Sequence, residues 1–564
     1  MTTGRASQVP LASVVLVAAT ALLANFARMQ QLGLYEDDYW SIAPHLGEPV
    51  SHLLGTLVSN FTTWPTGRPL NHFLPVFLSR MGSRLGGLEG AYGLAAAWLA
   101  LNGGLVYAIV RRLTSEQAGV VSAMAYLLFP ADSTKTLLVH AAHVQGAMTF
   151  LLLGVWLWLR GGRCRAASYP VAALSLLSYE TAFLPFLGVP LLRAPDRRTL
   201  LRTLGIHLAA CAGIVAAIAA IRFATGDVRA IDAAGNPART LYRMTTSLFL
   251  GPLTSGWSLL ASALAGWRQV DALAALDAAF LVLGFGAVLQ AIRWRDSMGH
   301  GAPERASPAL ERVAADQPSW SWLVAGAVLV WAGSYALVLT NYNYPPTQTV
   351  GRLTSTHVAA GWPVSLLLGA LFEGARRRSR RWSWAAAVLF AAWLASMVTY
   401  HHHLQREYVS AWRQQQRFWK DVMALAPDAG PGWAVIAEGI PAPSTPVIYA
   451  NSWADYCTYA LIFPERLDER RPAFGHLGYL GQLIQFRRDG ERVTWRPRWW
   501  DGPFEPIDPA RLVLLRDEKG ALRRVNQIET PVGRLVATAP WPAPARPQWP
   551  DTPVSRLLFP ERFR

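Results

Sequence analysis

Charge is scarce in this chain. Only 16% of its 564 residues are Asp, Glu, Lys or Arg, while 52% are hydrophobic. Soluble proteins average about 25% charged, so this balance argues against an ordinary soluble fold and for a chain mostly embedded in lipid. Cysteine is scarcer still. Cys164 lies in a basic loop, Cys211 inside an apolar run and Cys457 in the C-terminal region. Three thiols so dispersed do not make a disulfide framework. No GxxxxGK[ST] loop occurs, so a phosphate cradle of that kind is absent. No internal repeat appears, and ionisable residues do not collect at mid-membrane, as they tend to in transporters. The first apolar run has no clear small-x-small cleavage site before a mature domain, and it reads as a retained span.

What the chain does have is a series of apolar runs that read as spans, at about 20 residues per crossing. They fall at about 9–27, 88–110, 117–130, 145–159, 166–178, 182–192, 204–221, 272–291, 320–339, 356–373 and 382–399. Those at 117–130, 166–178 and 182–192 are short, and the last two extend into their flanks or are re-entrant. This makes about eleven transmembrane helices. The net charge of +16 is carried largely by short Arg clusters between the runs: Arg111-Arg112, Arg160 to Arg165, Arg193 to Arg202, Arg293 to Arg312 and Arg376 to Arg381. Clusters after every second span mark cytoplasmic loops. They therefore argue against nucleic acid as a partner, which so basic a soluble protein would suggest. The alternation places the N-terminus in the cytoplasm and the C-terminal region outside, across a cytoplasmic (inner) membrane.

The expected organisation is a multi-span membrane domain over residues 1–400 and an extracytoplasmic domain over 401–564. The latter is rich in Pro, Arg and Trp and has no 18-residue apolar run. Residues 404–425 have helical spacing and many charges. Short apolar stretches such as Pro446 to Ala450 and Arg511 to Leu515, separated by Gly, Pro and Asp, read as strands of a small α+β domain. The polar stretch 296–318 reads as a flexible linker.

The unusual polar residues gather on the side away from the Arg clusters. After the first span comes Tyr35-Glu36-Asp37-Asp38-Tyr39-Trp40, three carboxylates between interfacial aromatics. Then follow Gly67-Arg68-Pro69-Leu70, the Ala131 to Lys135 stretch, His140 and His143, Ser178-Tyr179-Glu180, and Asn341 to Gln348 with Arg352 and His357 behind it. Glu180 stands at membrane depth, where an ionisable group marks a functional site by default. His140 and His143 can share a helix face, but no nearby Cys, Asp or Glu completes a metal set. No metal and no cofactor is therefore indicated, although a divalent ion is compatible with the chemistry. Gly67-Arg68-Pro69 is equally compatible with a plain turn, and Lys135 and Arg352 with snorkelling cations. His401-His402-His403 reads as an interfacial polar cluster where the last span leaves the membrane.

In order and sidedness these motifs resemble the bacterial GT-C glycosyltransferases, relatives of the dolichyl-phosphate-mannose protein mannosyltransferases and of the aminoarabinose transferase acting on lipid A. The resemblance rests on Glu36-Asp37-Asp38-Tyr39-Trp40, Gly67-Arg68-Pro69-Leu70 and Ser178-Tyr179-Glu180, and covers roughly residues 9–400. The family often carries Lys before the Glu matching Glu180, where this chain has Tyr179. It implies a GT-C-like helical fold, a sugar donor on a polyprenyl phosphate, and an extracytoplasmic glycan, lipid or protein acceptor. A polyprenyl phosphate is already a good leaving group, so chemistry centres on deprotonating the acceptor hydroxyl. Asp37 is the expected general base, with Asp38 orienting the acceptor or tuning Asp37 through like-charge repulsion, and Glu36 as the alternative. Arg352, Lys135 and Arg68 are the expected partners of the donor phosphate. His140, His143 and Glu180 are further site candidates. The carboxylates of 401–564 look scattered among Arg as on a solvated surface, so that domain is expected to modulate acceptor access.

Two other readings exist. A glycan ligase or polymerase should carry a large external loop with essential Arg and His, and a flippase of lipid-linked sugar should show inverted repeats. The topology itself is testable. A reporter active only outside the cytoplasm should score positive when fused after Arg564, and one active only inside should score negative; the reverse pattern would refute the assignment.

Overall fold

The computed structural model describes residues 11–193, 197–227, 231, 235–299, 320–336, 346–427, 429–439, 455–466, 473–477, 484–497, 502–518, 521–540 and 549–563. The chain forms two compact units. The first comprises residues 1–29 and 49–405, the second residues 30–48 and 406–564. The boundary thus falls a few residues beyond the expected one. The acidic stretch after the first span belongs with the C-terminal unit.

The first unit is helical: α1 (Leu11–Phe26), α2 (Leu53–Thr63), α3 (Pro69–Leu113), α4 (Glu116–Leu127), α5 (Leu138–Arg160), α6 (Gly162–Ser178), α7 (Glu180–Leu187), α8 (Arg197–Ala224), α9 (Pro237–Arg268), α10 (Ala272–Gly299), α11 (Trp320–Gly333), a 3-10 helix Arg352–Ala360, α12 (Gly361–Arg378) and α13 (Arg380–Leu425). Among the described residues, eight helices are long and apolar enough to cross a membrane. Helix α9 occupies a region between two expected spans that the sequence reading left without a helix. α3 is really two helices. Gly86 and Gly87 have φ of +143° and +66°, a conformation that side chains resist, and the chain folds back there. Phe77 of the first arm meets Trp98 of the second at 6.2 Å. The polar linker expected over 296–318 lies, from residue 300 onward, outside the described residues.

Polar contacts tie the helix ends into two levels. At one, Glu116 accepts from Ser13 at 3.2 Å and pairs with Arg295 at 2.5 Å. Nearby in sequence, Ser115 donates to Glu373, which also holds Arg376 and Arg377. Arg193 donates to the Leu159 carbonyl at 2.6 Å, and Arg293 to Ser383 at 3.1 Å. This is the Arg-rich level. At the opposite ends of the same helices, Asn25 reaches the Leu127 carbonyl, Gln405 donates to the Ala24 carbonyl at 2.8 Å, and Arg28 pairs with Asp271. The burial cost of these polar groups is offset because each has a partner. His401 and His402 are buried, and His402 Nε2 lies 3.0 Å from Asp277 Oδ2 of α10.

In the second unit, the last part of α13 leads to a strand-rich region that holds three sheets among the described residues. Its strands are β1 (Ala434–Glu438), β2 (Phe474–Leu477), β3 (Ile484–Asp489), β4 (Arg492–Pro497), β5 (Glu505–Pro506), β6 (Leu512–Glu518), β7 (Ala521–Val525), β8 (Gln527–Thr530) and β9 (Gly533–Val536). The main sheet runs β2-β1-β6-β7, with β1 parallel to both neighbours and β7 antiparallel to β6. β1 and β6 are continuous apolar runs because parallel strands bury both faces. Ile436, Leu514, Ile484, Trp495 and Ile528 fill the core. The unit is completed by α14 (Asp455–Ile462) and α15 (Pro553–Leu558). The strand expected at Pro446–Ala450 lies outside the described residues.

Candidate functional site

Within the first unit, one group of expected residues comes together at the level opposite the arginines. Tyr179 ends α6 in extended conformation, so Glu180 opens α7 at the edge of the apolar stretch. Arg68 grips its carboxylate with both arms of the guanidinium, Nε to Oε1 at 2.7 Å and Nη2 to Oε2 at 2.5 Å. Such a fork is strong and directional. Arg222, at the end of α8, donates to the same Oε1 at 2.7 Å and turns its other nitrogens to Asp227 at 2.6 Å. Burial alone would push the Glu180 carboxyl up; Arg68 and Arg222 outweigh it and hold the group down at about 2. The Arg68 guanidinium also lies 5.6 Å from the Tyr179 ring centroid.

Gly67 explains the turn before Arg68. Its φ is +68°, and a Cβ there would stand 2.5 Å from Arg222 Nε and 2.6 Å from Asp227 Oδ2. Only glycine meets both demands. Pro69 then starts α3, as a residue without an N–H can at a first helical position.

His140 and His143 lie one turn apart on α5, buried, with ring centroids 5.3 Å apart, and His143 meets Tyr179 at 5.9 Å. Arg352 acts electrostatically on both imidazoles, and Arg68 and His72 on His143. Arg68, Glu180, His140, His143 and Arg352 therefore form one neighbourhood. Arg352 is placed by a knot of hydrogen bonds. Ser133 N–H donates to Thr354 Oγ1 at 3.0 Å, Gly351 N–H donates to Ser133 Oγ at 3.0 Å, and Thr354 Oγ1 donates to the Gly351 carbonyl at 2.7 Å.

Lys135 is directed elsewhere. It is buried, and its ammonium donates to the Phe129 carbonyl at 2.6 Å. Burial draws it down to about 8, against the pull of Asp132. Asp132 accepts from the backbone and hydroxyl of Thr134, and His357 lies between Tyr335 Oη at 2.8 Å and the Gln348 carbonyl at 3.0 Å. These groups hold the loop together. Residues 341–345 of the Asn341 to Gln348 stretch lie outside the described residues.

The acidic motif is built in the second unit, against the end of α13. Tyr35 and Tyr39 are buried. Tyr35 Oη donates to the Tyr408 carbonyl at 2.9 Å and Tyr39 Oη to Gln415 Oε1 at 2.9 Å, while Gln415 Nε2 donates to the Leu34 carbonyl. Burial raises both phenols first, helped by Asp38. The three carboxylates differ. Asp38 is wholly buried and accepts the Tyr35 N–H at 3.0 Å. Glu36 is buried and carries a φ of +48°, a conformation rare outside glycine. Asp37 is half-buried.

Sequence reasoning missed three carboxylate or cation partners. Arg222 and Asp227 lie just beyond the apolar run 204–221, with nothing local in the sequence to tie them to Glu180. Asp455 is not a surface carboxylate: it is 3% exposed and acts electrostatically on Tyr39. Cys457, two residues on, is pushed up to about 12 by burial and then by Asp37 and Asp455. Asp468 lies outside the described residues. Among the described residues, no three His, Cys, Asp or Glu side chains gather as a metal site.

No protein-family model matches the chain, and no curated protein does. Among solved structures, the crystal structure of ArnT from Cupriavidus metallidurans in the apo state aligns with 80% of this chain and 88% of that one, at 15% identity and a TM-score of 0.29.

The Glu180 cluster predicts a pH-dependent stability. Glu180→Gln takes the charge from the mostly buried Arg68 fork and leaves Arg222 with Asp227 alone, and should cost up to about 3–5 kcal/mol at neutral pH. A depressed carboxyl stabilises above its unfolded pKa and loses that contribution as pH falls through its folded value. The gap in apparent Tm between wild type and Glu180→Gln, measured in detergent, should therefore hold at neutral pH and shrink from about pH 4.5 toward 2. A gap independent of pH over that range would contradict the assignment.

Proposed function

We propose that the chain is an integral-membrane glycosyltransferase of the GT-C type, moving a sugar from a polyprenyl-phosphate donor to an acceptor on the extracytoplasmic side. The observation that carries the reading is the division of labour between adjacent carboxylates. Asp38 is committed to a backbone amide, so it holds the loop, and Asp37 beside it keeps part of its surface accessible. Asp37 is then the base. It takes the proton of the acceptor hydroxyl as that oxygen bonds to the anomeric carbon, and the bond from this carbon to the phosphate breaks. The polyprenyl phosphate leaves with the electron pair. Arg68 and Arg352 supply the cations that a departing phosphate needs. Glu180 and Arg222 keep the Arg68 fork oriented, and the imidazoles of His140 and His143 keep that neighbourhood polar inside an apolar bundle. Lys135, with its ammonium held by a carbonyl, is the weakest of the three expected phosphate ligands.

Two measurements test this reading. In liposomes supplied with a polyprenyl-phosphate sugar, Asp37→Asn should lower turnover by about 10²–10⁴-fold, the usual worth of a general base, with donor affinity unchanged. Normal turnover by Asp37→Asn would move the base or sink the mechanism. Arg352→Ala should weaken donor binding by about 1.5–3 kcal/mol, the worth of a hydrogen bond to a charged group, and Lys135→Ala should do so less. Equal donor affinity in wild type and in the Arg352 and Arg68 variants would remove the phosphate from this cluster.

A further inference from the structure

Helix α9 has 32 residues, about 48 Å at 1.5 Å per residue, and is apolar enough to cross a bilayer. Its neighbours in the chain nonetheless end and begin at one level. α8 begins with Arg197 and Arg198, four residues after the Arg193 that reaches the Leu159 carbonyl, and ends where Arg222 meets Glu180 and Asp227. α10 begins just after Asp271, paired with Arg28, and reaches the Arg-rich level where Arg295 meets Glu116. α8 therefore ends, and α10 begins, at the level opposite the arginines.

The contacts of α9 agree. A Cβ on Gly251 would run into the Tyr335 ring, Ser255 accepts from Trp331 Nε1 at 3.0 Å, and Gly266 presses on Ser396 and Thr399. Trp331 and Tyr335 lie at the end of α11 away from Trp320, which is tied to the Ala370 carbonyl near the Arg-rich end of α12. Ser396 and Thr399 lie about 24–28 Å along α13 from its first residue, Arg380. Residues 251 and 266 are about 22 Å apart along the helix, yet both touch partners near the same level. Leu259, between them, packs against the cluster of Phe129, Ala131, Tyr335, Ala360 and Val364.

The two sides of α9 are unlike. Ser247, Gly251, Ser255, Ser258, Ser262 and Gly266 are buried, which lets the helix lie close on its neighbours. Tyr242, Phe249, Leu253, Trp257, Leu264 and Trp267 form the other side, each at least 60% exposed. α8 and α10 likewise expose large apolar side chains, among them Val215, Phe223, Leu276 and Leu283. Arg239 and Arg243 lie near one end of α9 and Arg268 at the other. Tyr and Trp favour the membrane–water interface.

The geometry points to α9 as an interfacial helix that lies along the leaflet opposite the arginines, with its aromatic and leucine ridge sunk among the acyl chains below the headgroups. Its partner is bilayer lipid, and the inference stands independently of the glycosyl-transfer reading. The test is the depth of spin labels in the full-length protein. Single cysteines replace Phe249, Leu253 or Leu264 in a Cys164→Ser background, Cys211 and Cys457 being buried. The protein is placed in nanodiscs of phosphatidylethanolamine and phosphatidylglycerol, and collision with oxygen is compared with collision with a water-soluble nickel chelate. All three labels should favour oxygen and share a depth of about 5–10 Å below the phosphates, as for helices lying in the interface. A steady change of depth toward about 22 Å between 249 and 264 would make α9 a crossing helix and overturn the proposal. Collision mainly with nickel would place the ridge in water, and protection from both would place it against protein. Either result would also overturn it.

Discussion

A single carboxylate orders the polar side of the helical unit. Glu180 sits at the start of α7 and is shared by Arg68, which comes 112 positions earlier, and Arg222, which comes 42 later. Three distant parts of the chain meet there, and none of the charges is tolerable alone. An isolated buried ion costs several kcal/mol, so the four groups are stable only as a set. Each one fixes its backbone: Arg68 the start of α3, Glu180 the turn between α6 and α7, Arg222 and Asp227 the end of α8. Gly67 belongs to the same set without a charge, because any side chain there would occupy the space of the Arg222–Asp227 pair.

The general plan was legible in the sequence. Apolar runs and Arg clusters are one-dimensional signals, and they marked both the helices and the level at which their basic ends meet. The turn at Gly86–Gly87 matched the expected start of the second run at residue 88. Less legible was anything depending on contacts between distant residues. Arg222 lies just beyond an apolar run, and its role appears only once α8 folds beside α7. Asp455 looked like one acid among many arginines, yet it packs beside the motif. α9 was overlooked because its small residues and Pro252 dilute the apolar signal, although one side of it carries large exposed apolar side chains.

The acidic motif shows how neighbours of one chemical type acquire different roles. Glu36, Asp37 and Asp38 are indistinguishable by composition. The backbone separates them: a left-handed residue at Glu36 begins a tight turn, and the Asp38 side chain closes it by accepting the Tyr35 N–H. Tyr35 and Tyr39 anchor the turn on the same helix through Tyr408 and Gln415. Position in this turn decides which carboxylate is buried and which keeps access to solvent.

The fold-back at Gly86–Gly87 also orders events during synthesis. With two residues at the bend there is no slack, so the arm 69–85 cannot settle by itself. Its ring contact, Phe77 on Trp98, requires a partner made 21 residues later, and Asn71 needs the Ser178 carbonyl, made later still. The arm that carries Arg68 is therefore translated early and docked late. Arg68 has no Glu180 to pair with until the start of α7 has been made, and the cluster closes only once Arg222 at the end of α8 follows.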